Sequence, residues 1–414
     1  MKRLLSLVAV LSLLSPRAFA AITAQGVEDR IVVVFQPGTS AADQLKAVQG
    51  LEIVDEIPAM PALLVKAPSG LAAQALARLS ALPSVYGAEA DVWLNWLEGA
   101  QPATFQQTAI PSVEAVLQTL PKLKLAPKAE EAQWGVKRVN APAAWSSGQG
   151  AGVNVAVIDT GIDPEHPELK SRVLGGLNAL DENASWADDH SHGTHVAGIV
   201  AAEFDGKGVV GVAPKVNLYS VKVLTKEGSG DMFGIMKGIM WTGQNNIQVA
   251  NMSLGAGQAM PLIQYALKMA VGAGVTVVAA AGNDGKAVNW PAAYPETIAV
   301  SELCSTGVTN AKLCPSTAEG IATFSSRGPE VAFIAPGVLI PSTVPLFADA
   351  SGIKAYSGTS MATPHVAGLA ALAVAKGAKG LDAVRAALKA AAEPLPNMTA
   401  SEQGAGLIDA AKIR

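Results

Sequence analysis

Three short stretches of this 414-residue chain carry side chains that could together work on an acyl carbon. Asp159-Thr160-Gly161 follows the apolar run VAVI, His192-Gly193-Thr194-His195 follows Asp189-His190-Ser191, and Ser360 lies in GTSMATPHVAG, Gly358 to Gly368. Each has an ordinary structural reading by itself: an Asp bracing a turn, a histidine pair on a helix, a Ser capping one. The pair His192 and His195 lacks a following Glu or Cys at ligand spacing, which argues against zinc. A Ser hydroxyl is a poor nucleophile at neutral pH and needs a base, and a His base needs a carboxylate to hold its tautomer and stabilise the imidazolium. Asp159, His192 and Ser360 supply one of each, in that order along the chain. Ser360 stands where a loop becomes a helix, so its own N–H faces the helix's positive end, and its small neighbours should leave the hydroxyl uncovered. Attack on an amide carbonyl also creates an oxyanion that needs fixed donors. Gly282-Asn283, closing the run VVAAAGNDG (Val277 to Gly285), offers an amide side chain for that purpose, where a turn is the bland alternative.

These residues need a frame that brings them to one edge. Short continuous apolar runs at Val153 to Ile158, Val216 to Leu224, Val249 to Leu254, Val275 to Ala281 and Thr297 to Val300 read as strands buried on both faces. Helical stretches at Asp231 to Asn246 and Leu262 to Ala273 alternate with them. The pattern predicts an α/β fold with a doubly wound, mostly parallel sheet, whose ligands bind beyond the carboxyl ends of the strands. Asp159 and Asn283 fall at such ends.

The first part of the chain is different. Residues 1–20 have a basic start, an apolar run from Leu4 to Leu14 and a small-x-small site at Ala18-Phe19-Ala20, which predicts a secretory signal peptide too short to span a bilayer. Residues 28–97 read strand (Arg30 to Phe35), helix (Ser40 to Gln49), two strands, helix (Ser69 to Leu82) and strand (Val85 to Trp93). That order predicts a small, separate α+β unit of the split βαβ, ferredoxin-like kind. A proline-bearing stretch over 98–128 reads as a linker open to cleavage, leaving 129–414 for the parallel sheet. The net charge of −4 gives no reason to expect nucleic acid or an anionic membrane as partner, and after signal removal no membrane segment is expected. Cys304 and Cys314, in an exported chain, favour one local disulfide over a metal site or reactive thiol, with two free thiols as the alternative.

The blocks AVIDTGID, HGTHVAG, NMSLG, AAAGNDG and GTSMATPHVAG, in order between Glu131 and Ile408, resemble the signature blocks of the subtilisin-like serine proteases, the subtilases. The resemblance implies an endopeptidase hydrolysing proteins or peptides, with Asp159 orienting His192, His192 as general base then acid, Ser360 as nucleophile and Asn283 as oxyanion donor. It implies a substrate strand laid between Gly228-Ser229-Gly230 and Ser253-Leu254-Gly255. It also implies an S1 pocket walled by Ser253 to Gly255 and Ala280 to Gly282, with Asn289 near its base, and a preference for large apolar or aromatic P1 residues, with the Asp284 carboxylate at the rim able to admit a basic one. The unit at 28–97 is similar to the family's propeptide, which would act as an intramolecular inhibitor and be cut off on maturation. A possible structural calcium (Ca2+) would be held by Glu168 and Asp205 and by the carbonyls of Glu203, Lys207 and Val209. The other histidines, His166, His190, His195 and His365, are expected to be structural. A secreted monomer, extracellular or periplasmic, is expected, with no further domain after Arg414. Two rivals remain: a non-catalytic scaffold, which should have lost one of the four catalytic groups, and an acyl hydrolase of small esters, which would need neither the Gly-Ser-Gly edge nor a propeptide.

Overall fold

The computed structural model describes residues 28–97, 132–308 and 310–414; the expected signal peptide and the linker at 98–128 lie outside the described residues. The N-terminal unit has the expected order: β1 (Arg30–Phe35), α1 (Ala41–Ala47), β2 (Glu52–Ile57), β3 (Ala62–Lys66), α2 (Ala72–Ser80) and β4 (Val85–Ala90). Its strands form an antiparallel sheet in the order β2-β3-β1-β4. Ser40 opens α1 by accepting the Asp43 N–H at 3.2 Å, as its type at that place suggests.

The N-terminal unit has its own sheet and core, and one face of that sheet also packs on the C-terminal unit. Along β1, Ile31, Val33 and Phe35 pack with Ala75 and Leu79 of α2, while Val32 and Val34 point the other way into a core shared with the C-terminal unit. A strand apolar on both faces needs both faces covered. The strand expected over Val85 to Trp93 also divides: after β4 the chain leaves the sheet, and β5 (Trp93–Asn95) pairs antiparallel with β9 (Ser229–Asp231). The break falls at Asp91, whose carboxylate is drawn to Arg30 at 2.7 Å and to the Phe233 N–H at 3.2 Å.

The C-terminal unit is built on one large sheet. Its elements are β6 (Asn154–Asp159), β7 (Val173–Asn178), α3 (His192–Ala201), β8 (Asn217–Lys222), β9, α4 (Met232–Gln244), β10 (Val249–Met252), α5 (Pro261–Gly272), β11 (Thr276–Ala280) and β12 (Thr297–Cys304). There follow β13 (Gly320–Ile321), β14 (Val331–Pro336), β15 (Ile340–Thr343), β16 (Ile353–Tyr356), α6 (Thr359–Ala375), α7 (Gly380–Ala390), β17 (Ala392–Glu393) and β18 (Leu407–Ile408). Strands β7-β8-β6-β10-β11-β12-β14-β18 are parallel in that spatial order, with β13 antiparallel to the end of β12 and β17 antiparallel to β18 at one edge. The order reverses between β6 and β10, and a crevice opens at such a switch point.

Alternation along the strands sets the two helical layers. Val155, Val157, Val278 and Val300 face the core that holds α3 and α6; Ala156, Ile158, Val277 and Ala279 face α4 and α5. The outer sides of α4 and α5 then meet the N-terminal sheet through Val32, Val34 and Leu64. Cys304 and Cys314 form a disulfide, and the loop they close is followed by Glu319, which grips Arg138 through two hydrogen bonds of 2.6 and 2.7 Å. Among the described residues no helix is long and apolar enough to cross a membrane.

Candidate active site

Strand β6 delivers Asp159 to the crevice, and glycines let the next elements close on it. Gly161 has φ +114°, and a Cβ there would stand 2.7 Å from Trp186 O and Asp188 N. A Cβ on Gly193 would collide with Gly161 O, so only glycine lets the first turn of α3 rest on the end of β6. His192, the first residue of α3, is thereby brought to Asp159: its Nδ1 is 2.8 Å from Oδ1 and 3.0 Å from Oδ2. Burial pulls the imidazole pKa down, but the charge and hydrogen bond of Asp159, helped by Asp188, more than offset it and hold it above the usual value. Such an imidazole, with Nδ1 engaged, keeps Nε2 for chemistry.

The turn before His192 is strained and heavily tied. Ser191 has φ +105°, a conformation that persists only where surroundings impose it. Asp188 imposes it, accepting the N–H groups of His190 (2.9 Å), Ser191 (3.0 Å) and Thr194 (3.0 Å) and the hydroxyls of Thr160 (2.8 Å) and Thr194 (2.6 Å). Lys222, at the end of β8, ties the same region by donating to Thr160 O at 2.7 Å, Leu224 O at 2.8 Å and Asp189 at 2.6 Å. Neither Asp188 nor Lys222 is marked out by the sequence. Asp188 looks like one more turn carboxylate, and Lys222 ends a strand that already carries Asn217 and Ser220.

Ser360 is the second residue of α6, so its N–H is among those that have no partner within a helix. The expectation of an uncovered hydroxyl is not met. Ser360 is 1% exposed, and its Oγ donates to Ser253 O at 3.1 Å. Among the described residues no hydrogen bond joins it to His192; turning the hydroxyl from Ser253 O toward His192 is the step the resting geometry leaves open. Ser253 holds the other side, its Oγ donating to Ser360 O at 2.8 Å while accepting from Asn251 at 2.9 Å.

Asn283 has the arrangement of a prepared donor. Its Oδ1 accepts the Thr359 N–H at 2.8 Å and the Thr359 hydroxyl at 3.0 Å, which fixes the amide so that Nδ2 points elsewhere. That Nδ2 is buried and without a partner among the described residues. A buried N–H pair left unmatched is costly and calls for an acceptor that arrives with a ligand.

The two backbone edges are in place, and the chain's own strand lies on them. Leu94 pairs with Gly230 and Asn95 with Ser229. Trp96 donates its N–H to Gly228 O at 3.0 Å and accepts the Gly255 N–H at 3.1 Å. Its indole, 1% exposed, donates to Gly230 O at 3.0 Å and packs in the cluster that contains Leu254 and Met232. On the far wall, Ala280, Gly282 and Asn289 are buried. Asn289 Nδ2 lies 2.6 Å from where a Cβ on Gly282 would stand, so its amide fills space beside that glycine. Asp284 accepts from Ser326 at 2.6 Å and has Lys286 at 3.9 Å.

The oxygen-rich loop after α3 is partly committed elsewhere. Glu203 turns to Arg172 at 3.7 Å, and Lys207 holds Asp205 at 3.4 Å. Glu168 lies under the loop, its Oε1 2.5 Å from a Cβ on Gly208. Among the described residues no three His, Cys, Asp or Glu side chains are grouped to hold a metal; the carbonyls of Glu203, Lys207 and Val209 would have to complete an oxygen set. The remaining histidines make structural bonds: His166 with Gly352 O at 2.9 Å, His195 with Ile340 O and Lys354 O at 3.0 Å, His365 with Met361 O at 2.8 Å. Burial pushes His195 down to about 3 and His365 to about 4, so both stay neutral. His190 accepts the His192 N–H at 3.3 Å.

Comparison with known proteins adds an independent line. The family model described as "Subtilase family" matches residues 150–406, and one described as "Fervidolysin N-terminal prodomain" matches residues 15–91. The chain is 44% identical over 255 residues to Subtilisin E of Bacillus subtilis (strain 168), a stretch covering 60% of this chain and 62% of that protein. It is 45% identical over 255 residues to a subtilisin of Bacillus pumilus, covering 60% of this chain and 86% of that one. It is 42% identical over 280 residues to alkaline elastase YaB of Bacillus sp. (strain YaB), covering 67% and 68%. The chain thus spans about three fifths of the length of Subtilisin E.

Proposed function

The chain belongs to the subtilase family, and on that footing we propose that it is a secreted serine endopeptidase made as a self-inhibited precursor. The observation that carries the proposal is the pairing of His192 with Asp159 at 2.8 Å at the same sheet edge as a helix-borne Ser360 and an unpartnered Asn283 amide. His192 Nε2 takes the Ser360 proton as Oγ attacks a peptide carbonyl, and Asp159 stabilises the imidazolium. The oxyanion is met by Asn283 Nδ2 and the Ser360 N–H. His192 then gives its proton to the leaving amine, and water repeats the cycle on the acyl-enzyme.

Substrate binds as an extended strand between Gly228-Ser229-Gly230 and Ser253-Leu254-Gly255, the place that β5 and Trp96 take in the precursor. Two-sided main-chain pairing favours peptides over small esters, which cannot use it. The N-terminal unit is an inhibitor in this reading because a substrate needs the groups that Trp96 engages. Asn289 packs beside Gly282, and in this reading its amide bounds the S1 pocket, which weakens the preference for large P1 residues that resemblance alone implied. A calcium ion fits the donor chemistry of Glu168, Asp205 and the carbonyls of Glu203, Lys207 and Val209, provided that it displaces Lys207 from Asp205.

The test is intact mass of the purified full chain, wild type beside Ser360→Ala, with and without a serine-directed phosphonylating reagent. Wild type is expected to lose its N-terminal unit and take one label at Ser360, and the variant to do neither. Unlabelled, peptide-inactive wild type would refute the enzyme reading; normal processing of purified Ser360→Ala would refute self-cleavage.

A further inference from the structure

Glu302 places an ionisable side chain inside the core. It lies on the central strand β12, is 0% exposed, and among the described residues Oε2 has no hydrogen-bond partner. Its own N–H goes to Ser325 Oγ at 3.0 Å and its carbonyl accepts from Ala322 at 2.9 Å, so the backbone is settled and only the side chain is unaccounted for. Burying a polar atom unmatched costs stability, and such costs concentrate where function requires them.

The other carboxyl oxygen shows where the side chain acts. Oε1 accepts the Gly358 N–H at 3.0 Å, a donor that also reaches Gly337 O at 3.1 Å. A Cβ on Gly337 would collide with the Glu302 side chain, so that glycine makes room for it. Gly358 has φ +153° and stands just before α6, with no side chain to limit its torsions. Its N–H is held by Glu302 Oε1 and Gly337 O just before two residues of the site: Thr359 aims Asn283 through Oδ1, and Ser360 carries the nucleophile and an oxyanion N–H.

We propose that Glu302 is a positioning residue, whose Oε1 clamps the Gly358 peptide so that Asn283 Nδ2 and the Ser360 N–H converge on one oxyanion position. The inference rests on the serine endopeptidase reading. Burial raises this carboxyl well above the usual range, with the Gly358 N–H only partly opposing it. The clamp works through its acceptor oxygen, which holds the Gly358 N–H at 3.0 Å. A Gln has the same acceptor and no charge, whereas an Ala has neither oxygen.

The experiment expresses the full chain as wild type, Glu302→Gln and Glu302→Ala, lets each mature, and measures kcat and KM on a chromogenic peptide per folded molecule counted by native mass spectrometry. Glu302→Ala is expected to lose about 10- to 100-fold in kcat, the scale of an angstrom-size misplacement, with KM within about twofold. Glu302→Gln should stay within about threefold of wild type. If Ala does not fold, Glu302→Met fills the volume without an acceptor and must show the same loss. An Ala or Met variant with wild-type kcat, or a Gln variant as impaired as they are, overturns the clamp while the endopeptidase reading stands on the active wild type. A wild type that hydrolyses no peptide removes both.

Discussion

Replacing Asp91 by Asn should uncouple docking of the N-terminal unit from pH. Asp91 and Asp231 share one guanidinium: Arg30 Nη2 is 2.7 Å from Asp91 Oδ2 and 2.9 Å from Asp231 Oδ2. Asp91 is 5% exposed. Burial first, then the charge of Asp231, raise it from its ordinary 3.8 to about 7, against the pull of Arg30 and the Phe233 and Met232 N–H groups. Undocking returns the carboxyl to water and to its ordinary value, so docking takes up a proton. A raised docked pKa means that this contribution is full below about 4, is lost as pH rises toward about 7, and changes little beyond. Three units correspond to about 4 kcal/mol, an upper limit because water entering the charged crevice would relieve part of the burial cost. One to 4 kcal/mol is roughly a 5- to 1000-fold change in the docking equilibrium. Glu89, also raised by burial, adds to it with the same sign. The assay is hydrogen exchange of the amides in β5, corrected for intrinsic rate, in uncut Ser360→Ala chain at pH 5 and pH 9. Protection should fall at least about fivefold on going to pH 9, and most of that fall should vanish in Ser360→Ala/Asp91→Asn. Equal pH dependence in both chains, or protection that grows with pH, would refute the reasoning.

Further outcomes follow from the site. Asn283→Ala should lower kcat by about 10²- to 10³-fold with little change in KM, a magnitude taken from the same kind of donor in subtilisin itself; steady-state kinetics on one peptide decide it, and a loss confined to KM counts against the oxyanion role. Asn289→Gly should clear space beside Gly282 and raise kcat/KM for Phe over Ala at P1 by about tenfold, measured on a matched peptide pair; an unchanged ratio would show that Asn289 does not bound the pocket. Lys207→Ala frees Asp205 from its ammonium and should enlarge the rise in Tm that calcium produces over chelator. If calcium shifts neither chain's Tm, the loop holds no calcium.

What the sequence revealed depended on contiguity. Asp159, His192, Asn283 and Ser360 each stand at the end of an apolar run or the start of a helix, so a strand-end rule finds them one by one. Glu302 and Asp188 escape because each has a partner far along the chain, the Gly358 N–H for one and the Thr160 hydroxyl for the other. Strand β7 escapes for a different reason. Gly175 and Gly176 interrupt its apolar pattern, yet Gly176 is required, since a Cβ there would strike Ser220 O of β8. The docked face of the N-terminal sheet did leave a mark: RIVVVF has no polar alternation, and a strand with one wet face would show it. The glutamate and aspartate that follow on β4 and after it, Glu89 and Asp91, could not be read as partners of the Leu262 and Phe233 N–H groups without knowing that α4 and α5 present their N-termini there.

Those remote contacts also bear on how a precursor of this design could let go. In the cleft, β5 and Trp96 use the backbone bonds that a substrate would use, so the cleft cannot distinguish inhibitor from substrate by main-chain pairing. What holds the N-terminal unit in preference must lie outside it. Among the described residues such holds include carboxylates at two helix N-termini, Arg30 between Asp91 and Asp231, Lys237 with Asp55 at 2.7 Å, the Tyr86–Tyr265 ring contact and the apolar face of Val32 and Val34. The charged contacts weaken with salt while the apolar face does not, and the Asp91 contact also weakens as pH rises. Cutting the linker removes the intramolecular advantage of the N-terminal unit, after which the charged contacts decide how fast it leaves. On the proposed function, then, raising pH should speed release of a cut N-terminal unit more than high salt alone does, because only pH adds the Asp91 charge to the effect of screening. Timing the appearance of peptide hydrolysis after mixing cut complex into pH 5 or pH 9 buffer, each at low and high salt, separates the two; a delay set by salt and indifferent to pH would leave Asp91 without a part in it.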